Sequence, residues 1–175
     1  SAERDRALDR LDDFLAYLDL NWRTFGPGEL GRLNDALRRG SPGVVSVPLA
    51  RILRRSLEFS ARSGGLYDVR VGSLVALWGF QDTSLEARTP PGAEEIARLR
   101  GQALAPGNLH QDSDRVWSDS PVALDFGSIG KGSALAGAAS LLRANGLRDF
   151  LVNAGGDIYA AGSHAGKPWR IGVRD

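Results

Sequence analysis

An aspartate, a lysine and a run of glycines stand together in the segment DFGSIGKGS, residues 125–133. A strand that runs into such a glycine loop and then into a helix directs free N–H groups and the positive end of the helix dipole outward, toward where phosphate oxygens can sit. Lys131 would add a point charge there. The spacing is not that of a P-loop: that motif needs glycine where Asp125 stands and a hydroxyl where Gly132 stands, which disfavours ATPase chemistry. Nor is it a dinucleotide fingerprint, since Gly127, Gly130 and Gly132 are spaced GxxGxG. Glycines between a strand and a helix also serve a tight turn, and the residues alone leave both readings open. In the second constellation, NAGGDI at 153–158, adjacent glycines interrupt an apolar strand ahead of an acid. Close approach of the backbone to a ligand and a β-bulge explain it equally well. Histidine catalysis is not expected, because His110 and His164 sit in loop-like stretches without a serine or carboxylate at a recognisable spacing.

The 22 basic and 21 acidic side chains nearly cancel, so no summed positive field is available to hold a nucleic acid, which is not an expected partner. Arg38 with Arg39, and Arg54 with Arg55, read as solvated helix faces. The chain lacks cysteine, which excludes disulfides, thiolate metal ligands and a thiol nucleophile. At 175 residues, 42% hydrophobic and 25% charged, the composition fits one ordinary globular domain with a packed core. No apolar run is long enough for a membrane-spanning helix.

The elements that must position these residues begin with helices. Leu8, Leu11, Leu15 and Leu18 predict a core-facing helix, and a turn follows at Gly26 and Pro27. Leu30, Leu33 and Leu37 predict a second helix, closed by Gly40 in the left-handed conformation. Val44, Val45 and Val47 suggest a strand, and residues 49–63 return to helical spacing until Gly64 and Gly65. Residues 66–80 are apolar without a clean period, which suggests buried backbone near a pocket. Residues 82–92 have a loop composition and 94–100 that of a short charged helix. Trp117 and residues 122–126 suggest two strands meeting near a turn at 118–121. A helix rich in alanine and leucine then runs to Asn145 and Gly146, followed by a strand, a glycine break and more strand over 149–162. The segment WRIGVRD reads as a strand stopped in mid-sheet, so sequence is expected after Asp175. Ser1 in place of methionine points to a processed or artificial start, with removal of a leader one route to it.

The ordered motifs resemble the ApbE-type FAD:protein FMN transferase family over most of the chain. GELGRLN resembles that family's S-E-L-S-x-x-N element, and GGLYDVRVGSLVALWGF its G-x-F-D-x-T-V-x-P-L-x-x-L-W-G-F segment. LDFGSIGKG is similar to its D-L-G-x-I-A-K-G loop, LVNAGGDIYAAG to its glycine-pair strand, and KPWRIGVRD to the Trp-Arg strand that follows. The resemblance implies an α+β fold of the ApbE type, related to the T-fold, with helices covering a mixed sheet and its C-terminal part absent. It implies magnesium-dependent transfer of FMN from FAD to a threonine hydroxyl of a target protein, with AMP released.

Carried over by position, Phe25 and Asn34 lie near bound FAD, and the main-chain carbonyl of Ser128 is a magnesium ligand. Lys131 stands beside the cofactor as the residue assigned to catalysis, with Gly127 in the same loop. Gly155, Gly156 and Asp157 form pocket wall, and Asp68 and Trp78 support it structurally. The family's acidic and hydroxyl metal ligands come from a later Asp-Ala-x-x-Thr element that these residues do not contain. Ser133 and Ala136 stand where the family often has an aromatic residue and an aspartate, and Arg70 and Ser73 replace Thr and Pro. These departures keep a second reading open, a module that binds or stores flavin without transferring it. A third is an unrelated nucleotide-binding βαβ unit. The expected partners are FAD and an acceptor protein carrying a threonine in a flavinylation motif, a membrane-associated acceptor included. The implied location is outside the cytoplasm, whether exported, periplasmic or membrane-anchored.

Overall fold

The computed structural model describes residues 2–80, 89–105 and 107–173. These divide into two compact units, one of Leu20–Ser128 and one of Ser1–Asp19 with Ile129–Asp175.

In the larger unit, helix α2 (Glu29–Arg38) buries Leu30, Leu33, Asn34 and Leu37. Its end is a Schellman motif: Gly40, at φ 70°, donates to Leu37 O and Ser41 donates to Ala36 O. Strand β1 (Gly43–Val44) is shorter than expected, because Ser46 and Pro48 start helix α3 (Val47–Arg62) early. Ser46 caps α3 by accepting from the Leu49 N–H, and Pro near N1 costs no hydrogen bond. Val47 is therefore helical rather than part of a strand. At the other end Gly64 donates to Ala61 O and Gly65 to Ser60 O, the same motif again, as the glycine pair predicts.

Residues 66–80 combine a buried extended piece around Val69 with the short helix α4 (Gly72–Leu77). Main-chain bonds from Asp125 N to Val69 O and from Gly72 N to Ala123 O tie this piece to 122–126, with one isolated parallel bridge between Val71 and Ala123. A Cβ on Gly72 would lie 2.8 Å from the Ala123 carbonyl, so glycine permits the approach. Much of the expected loop at 82–92 lies outside the described residues. Helix α5 (Ala93–Ala103) packs on α4.

Strands β2 (Leu109–Asp112) and β3 (Arg115–Ser118) form a hairpin, and β3 also pairs with β1 in the order β1-β3-β2, all antiparallel. Its two-residue turn has Ser113 at φ 53°, a Ser-Asp turn without the Asn-Gly signature, which is why β2 was not legible in the sequence. Residues 122–126 do not form the expected second strand. All but the half-buried Asp125 are buried, with Val122, Ala123 and Leu124 fully covered, and they bond one at a time rather than in a ladder. The core of this unit is Leu30, Leu37, Leu49, Leu53, Val69, Val116, Val122 and Leu124.

The smaller unit contains most of helix α1 (Ala2–Asn21), helix α6 (Gly130–Ala144), and the antiparallel pair β4 (Phe150–Ala154) and β5 (Asp157–Ala161). On α1 the covered stripe is Ala7, Leu11, Phe14 and Leu18, at the i, i+4, i+7, i+11 spacing of one helix face. Leu8 and Leu15 of the expected stripe are 45% and 40% exposed. Phe14 selects the face: a Cβ on Gly137 of α6 would lie 2.5 Å from its ring.

Helix α6 closes with a third Schellman motif, from Gly146 to Arg143 O and from Leu147 to Leu142 O. Both strands pack against α6. Residues 168–173 form no ladder among the described residues, in contrast to the strand expected there, although Trp169 donates its indole N–H to Ala161 O at 2.8 Å. The α+β class holds; among the described residues the strands form two antiparallel sheets and the parallel contact is confined to the Val71 bridge.

Candidate functional site

In the larger unit, Asn34 is fully buried, and its amide is saturated by main chain. Nδ2 donates to Thr24 O and Leu124 O, each at 2.9 Å, and Oδ1 accepts from Leu124 N at 2.7 Å. No face of the Asn34 side chain reaches solvent and its N–H donors are taken, so in this structure it positions main chain. What it positions is the approach to the glycine loop. Asp125, one residue beyond the clamp, accepts from Thr24 Oγ1 at 2.6 Å and from Gly127 N at 2.8 Å. A Cβ on Gly127 would fall 2.8 Å from Asp125 Oδ1, so a side chain there would crowd this bond. Ser128, at the end of the unit, is exposed. Phe25 is partly covered, with the Arg38 guanidinium 5.6 Å from its ring centroid.

Tyr67, where the resemblance has phenylalanine, buries its hydroxyl without a hydrogen bond of normal geometry, although the Ser56 and Ser128 side chains face it. Burial raises its pKa, and the two serine hydroxyls oppose that. Asp68 is bound to its neighbour Arg70. Burial would raise its pKa, but hydrogen bonds and charge from Arg70 outweigh that and hold it below its ordinary 3.8. Arg70 grips both carboxylate oxygens, at 2.9 and 2.6 Å, and donates to Ala105 O at 2.6 Å. The departure at Arg70 thus brings its own partner. Trp78 is 42% exposed, less enclosed than a support residue would be.

In the smaller unit, α6 starts inside the glycine run, which puts Lys131 in its first turn. Ile129 occupies the N-cap and no side chain caps the helix. The lysine Nζ lies 3.3 Å from Asp157 Oδ2, with the side chains 61% and 55% exposed. Two residues singled out separately in the sequence therefore meet. Gly155 and Gly156, at φ 62° and 101°, form the two-residue turn between β4 and β5, with Ala154 directly opposite Asp157. The regular register rules out the bulge, and the glycines are explained by a type I′ turn in which L side chains are strained.

His110 is on β2, not in a loop, and it has a carboxylate partner, Asp119 Oδ2 at 2.9 Å from Nε2. Its ring stacks on Trp117. A cavity of about 200 Å³ on α3, lined by Arg51, Arg54, Arg55 and Glu58, includes none of the expected site residues.

The ApbE family profile matches residues 3–175. The chain belongs to the ApbE family. It is 38% identical to the FAD:protein FMN transferase of Rhodobacter capsulatus over 160 residues, covering 89% of this chain and 30% of the relative. To the enzyme of the same name from Escherichia coli (strain K12) it is 30% identical over 149 residues, covering 83% of this chain and 42% of the relative. Among solved structures, the ApbE protein of Thermotoga maritima superposes with a TM-score of 0.87 at 26% identity, over 98% of this chain and 56% of that one. The apo Pseudomonas stutzeri flavinyl transferase ApbE gives 0.84 at 29% identity, over 97% and 54%. The chain thus spans about a third to a half of the length of its relatives. Membership in the ApbE family sets aside the unrelated βαβ reading.

The ApbE resemblance also exposes two departures that the structure explains. Gly28 and Gly31 stand where the family element has serines. A Cβ on Gly28 would collide with Leu20 O, and one on Gly31 with Gly26 O. Sequence reasoning passed over Asp125 as a holder of the loop, although Asp-x-Gly is the spacing of an Asx turn and was a usable signal.

Proposed function

We propose that this protein takes part in magnesium-dependent transfer of FMN from FAD to a threonine hydroxyl of a target protein. The observation that carries the reading is the exposed Lys131 ammonium at an uncapped helix start, in a chain whose ApbE likeness runs from residue 3 to 175. The shared name of the curated relatives, FAD:protein FMN transferase, supports it. The acceptor hydroxyl oxygen forms a bond to the FMN-side phosphorus, the bond from that phosphorus to the AMP phosphate breaks, and AMP leaves as the hydroxyl proton is lost to solvent. Lys131 and the free N–H groups of the first turn of α6 suit the pyrophosphate oxygens.

Magnesium fits the described residues poorly. Among them no three His, Cys, Asp or Glu side chains gather to hold a metal, and the Ser128 carbonyl alone is no oxygen cage. Ser133 and Ala136, in place of the family's aromatic residue and aspartate, favour the second reading, a flavin-binding or flavin-storing module. The ApbE reading also implies an acceptor outside the cytoplasm, which can be membrane-associated. No helix among the described residues is long and apolar enough to cross a membrane.

The deciding experiment mixes the protein with FAD, magnesium and a threonine-bearing acceptor and looks by mass for an added FMN and for AMP. Adduct that falls about tenfold or more in Lys131→Ala supports transfer. FAD binding with neither adduct nor AMP replaces transfer by the binding module.

A further inference from the structure

The pair formed by Lys131 and Asp157 is unusual for what it does not achieve. Both side chains are more than half exposed, and an ion pair in such a setting adds little to folding stability. The lysine also stands in the first turn of α6, where the helix dipole disfavours a cation. Glycines on both sides of it, Gly130 and Gly132, weaken the same turn. A carboxylate near that turn would be expected to serve as a cap, yet no side chain caps α6. Instead Asp157 Oδ2 lies 3.3 Å from the ammonium. The carboxylate is delivered from a fixed position, the first residue of β5, directly after the Gly155 and Gly156 turn.

We propose that Asp157 is a competing counter-ion, which holds the Lys131 ammonium in the free protein and must be displaced by an incoming phosphate group. This rests on the phosphate reading of Lys131 and concerns how that site is regulated. A carboxylate and a phosphate oxygen repel each other, so the two share the ammonium poorly. A multiply charged pyrophosphate outcompetes the single carboxylate, whereas a singly charged anion does not. Asp157 lowers affinity, selects for ligands of high negative charge, and keeps the lysine side chain in place between binding events.

The test is a titration of FAD fluorescence, without divalent cations, on the wild-type protein, Asp157→Asn, Lys131→Ala and the double variant. Asp157→Asn is expected to bind FAD about two- to fivefold more tightly, the range that an exposed ion pair spans. Lys131→Ala is expected to bind about tenfold more weakly. In the Lys131→Ala background the Asn substitution should give no gain, because the competition has nothing left to compete for. Labelling of Lys131 by an amine reagent without FAD should rise in Asp157→Asn. Weaker binding by Asp157→Asn, or an equal gain in both backgrounds, overturns the inference. If Lys131→Ala weakens binding while Asp157→Asn leaves it unchanged, the inference falls and the phosphate reading of Lys131 stands. If the wild-type protein does not bind FAD, both fall together.

Discussion

Asn34 and Lys131 carry the same expectation, contact with a flavin nucleotide, but they occupy opposite physical settings. Asn34 is fully covered, with both N–H donors and its carbonyl oxygen committed to the main chain of Thr24 and Leu124. Lys131 is 61% exposed at a helix start without a cap, and its charge is met by another exposed side chain. A buried polar group with every bond made holds the fold in one arrangement. An exposed charge with a weak partner is free to exchange that partner for a ligand. Two motifs of one family can thus contribute differently, one a sealed residue that holds the fold and the other an exposed charge.

The comparison is broken most directly at Asn34. Asn34→Ala leaves buried main-chain groups at Leu124 without partners and is expected to cost about 3 kcal/mol, read from urea unfolding. A loss below about 1 kcal/mol would show that the clamp is dispensable. Next in size is Gly31→Ala, whose new methyl would meet the Gly26 carbonyl and force the 26–31 backbone to shift, at about 2 kcal/mol in the same measurement. An unchanged midpoint would mean that the loop yields freely.

A smaller effect is expected from Asp68, in its dependence on pH. Its folded pKa lies below the ordinary 3.8, so its contribution is fully present above that value and is lost as the pH falls through the folded pKa. Between pH 7 and pH 3 the wild type should therefore lose more stability than Asp68→Asn, which is already weaker at pH 7. Parallel losses in the two proteins would remove Asp68 from the acid limb. Smallest of all, Lys131→Ala should leave thermal stability within about 0.5 kcal/mol while it weakens FAD binding. A large drop in the melting temperature would erase the contrast with Asn34, because Lys131 would then also be part of the architecture.

Much of the helical frame was legible because its signals are local. Gly40, Gly64 and Gly146 each follow a run of apolar spacing, and each sits at the left-handed position of a Schellman motif. The glycine pair at 155 and 156 was legible as a break, but two strands had to pair before it became a turn rather than a bulge. Strand β2 was missed because His110, Gln111 and Asp112 carry no alternating apolar pattern, and their pairing with Arg115, Val116 and Trp117 is what makes them a strand. Residues 122–126 failed in the reverse direction. Their valine, alanine and leucine fit a strand, but their main-chain groups are taken singly by Val69, Gly72 and Asn34.

By itself the sequence determined where α2, α3 and α6 stop and the glycine run before α6, since these depend on neighbours a few residues away, and the ApbE likeness, which rests on the order of its motifs along the chain. Only the tertiary structure decided that α1 turns Ala7 and Phe14 inward rather than Leu8 and Leu15, that Asn34 is sealed, and that Asp157 faces Lys131. Those outcomes depend on groups far apart in the chain. Burial and charge pairing are properties of the space between elements, which residue spacing along one strand or helix does not contain.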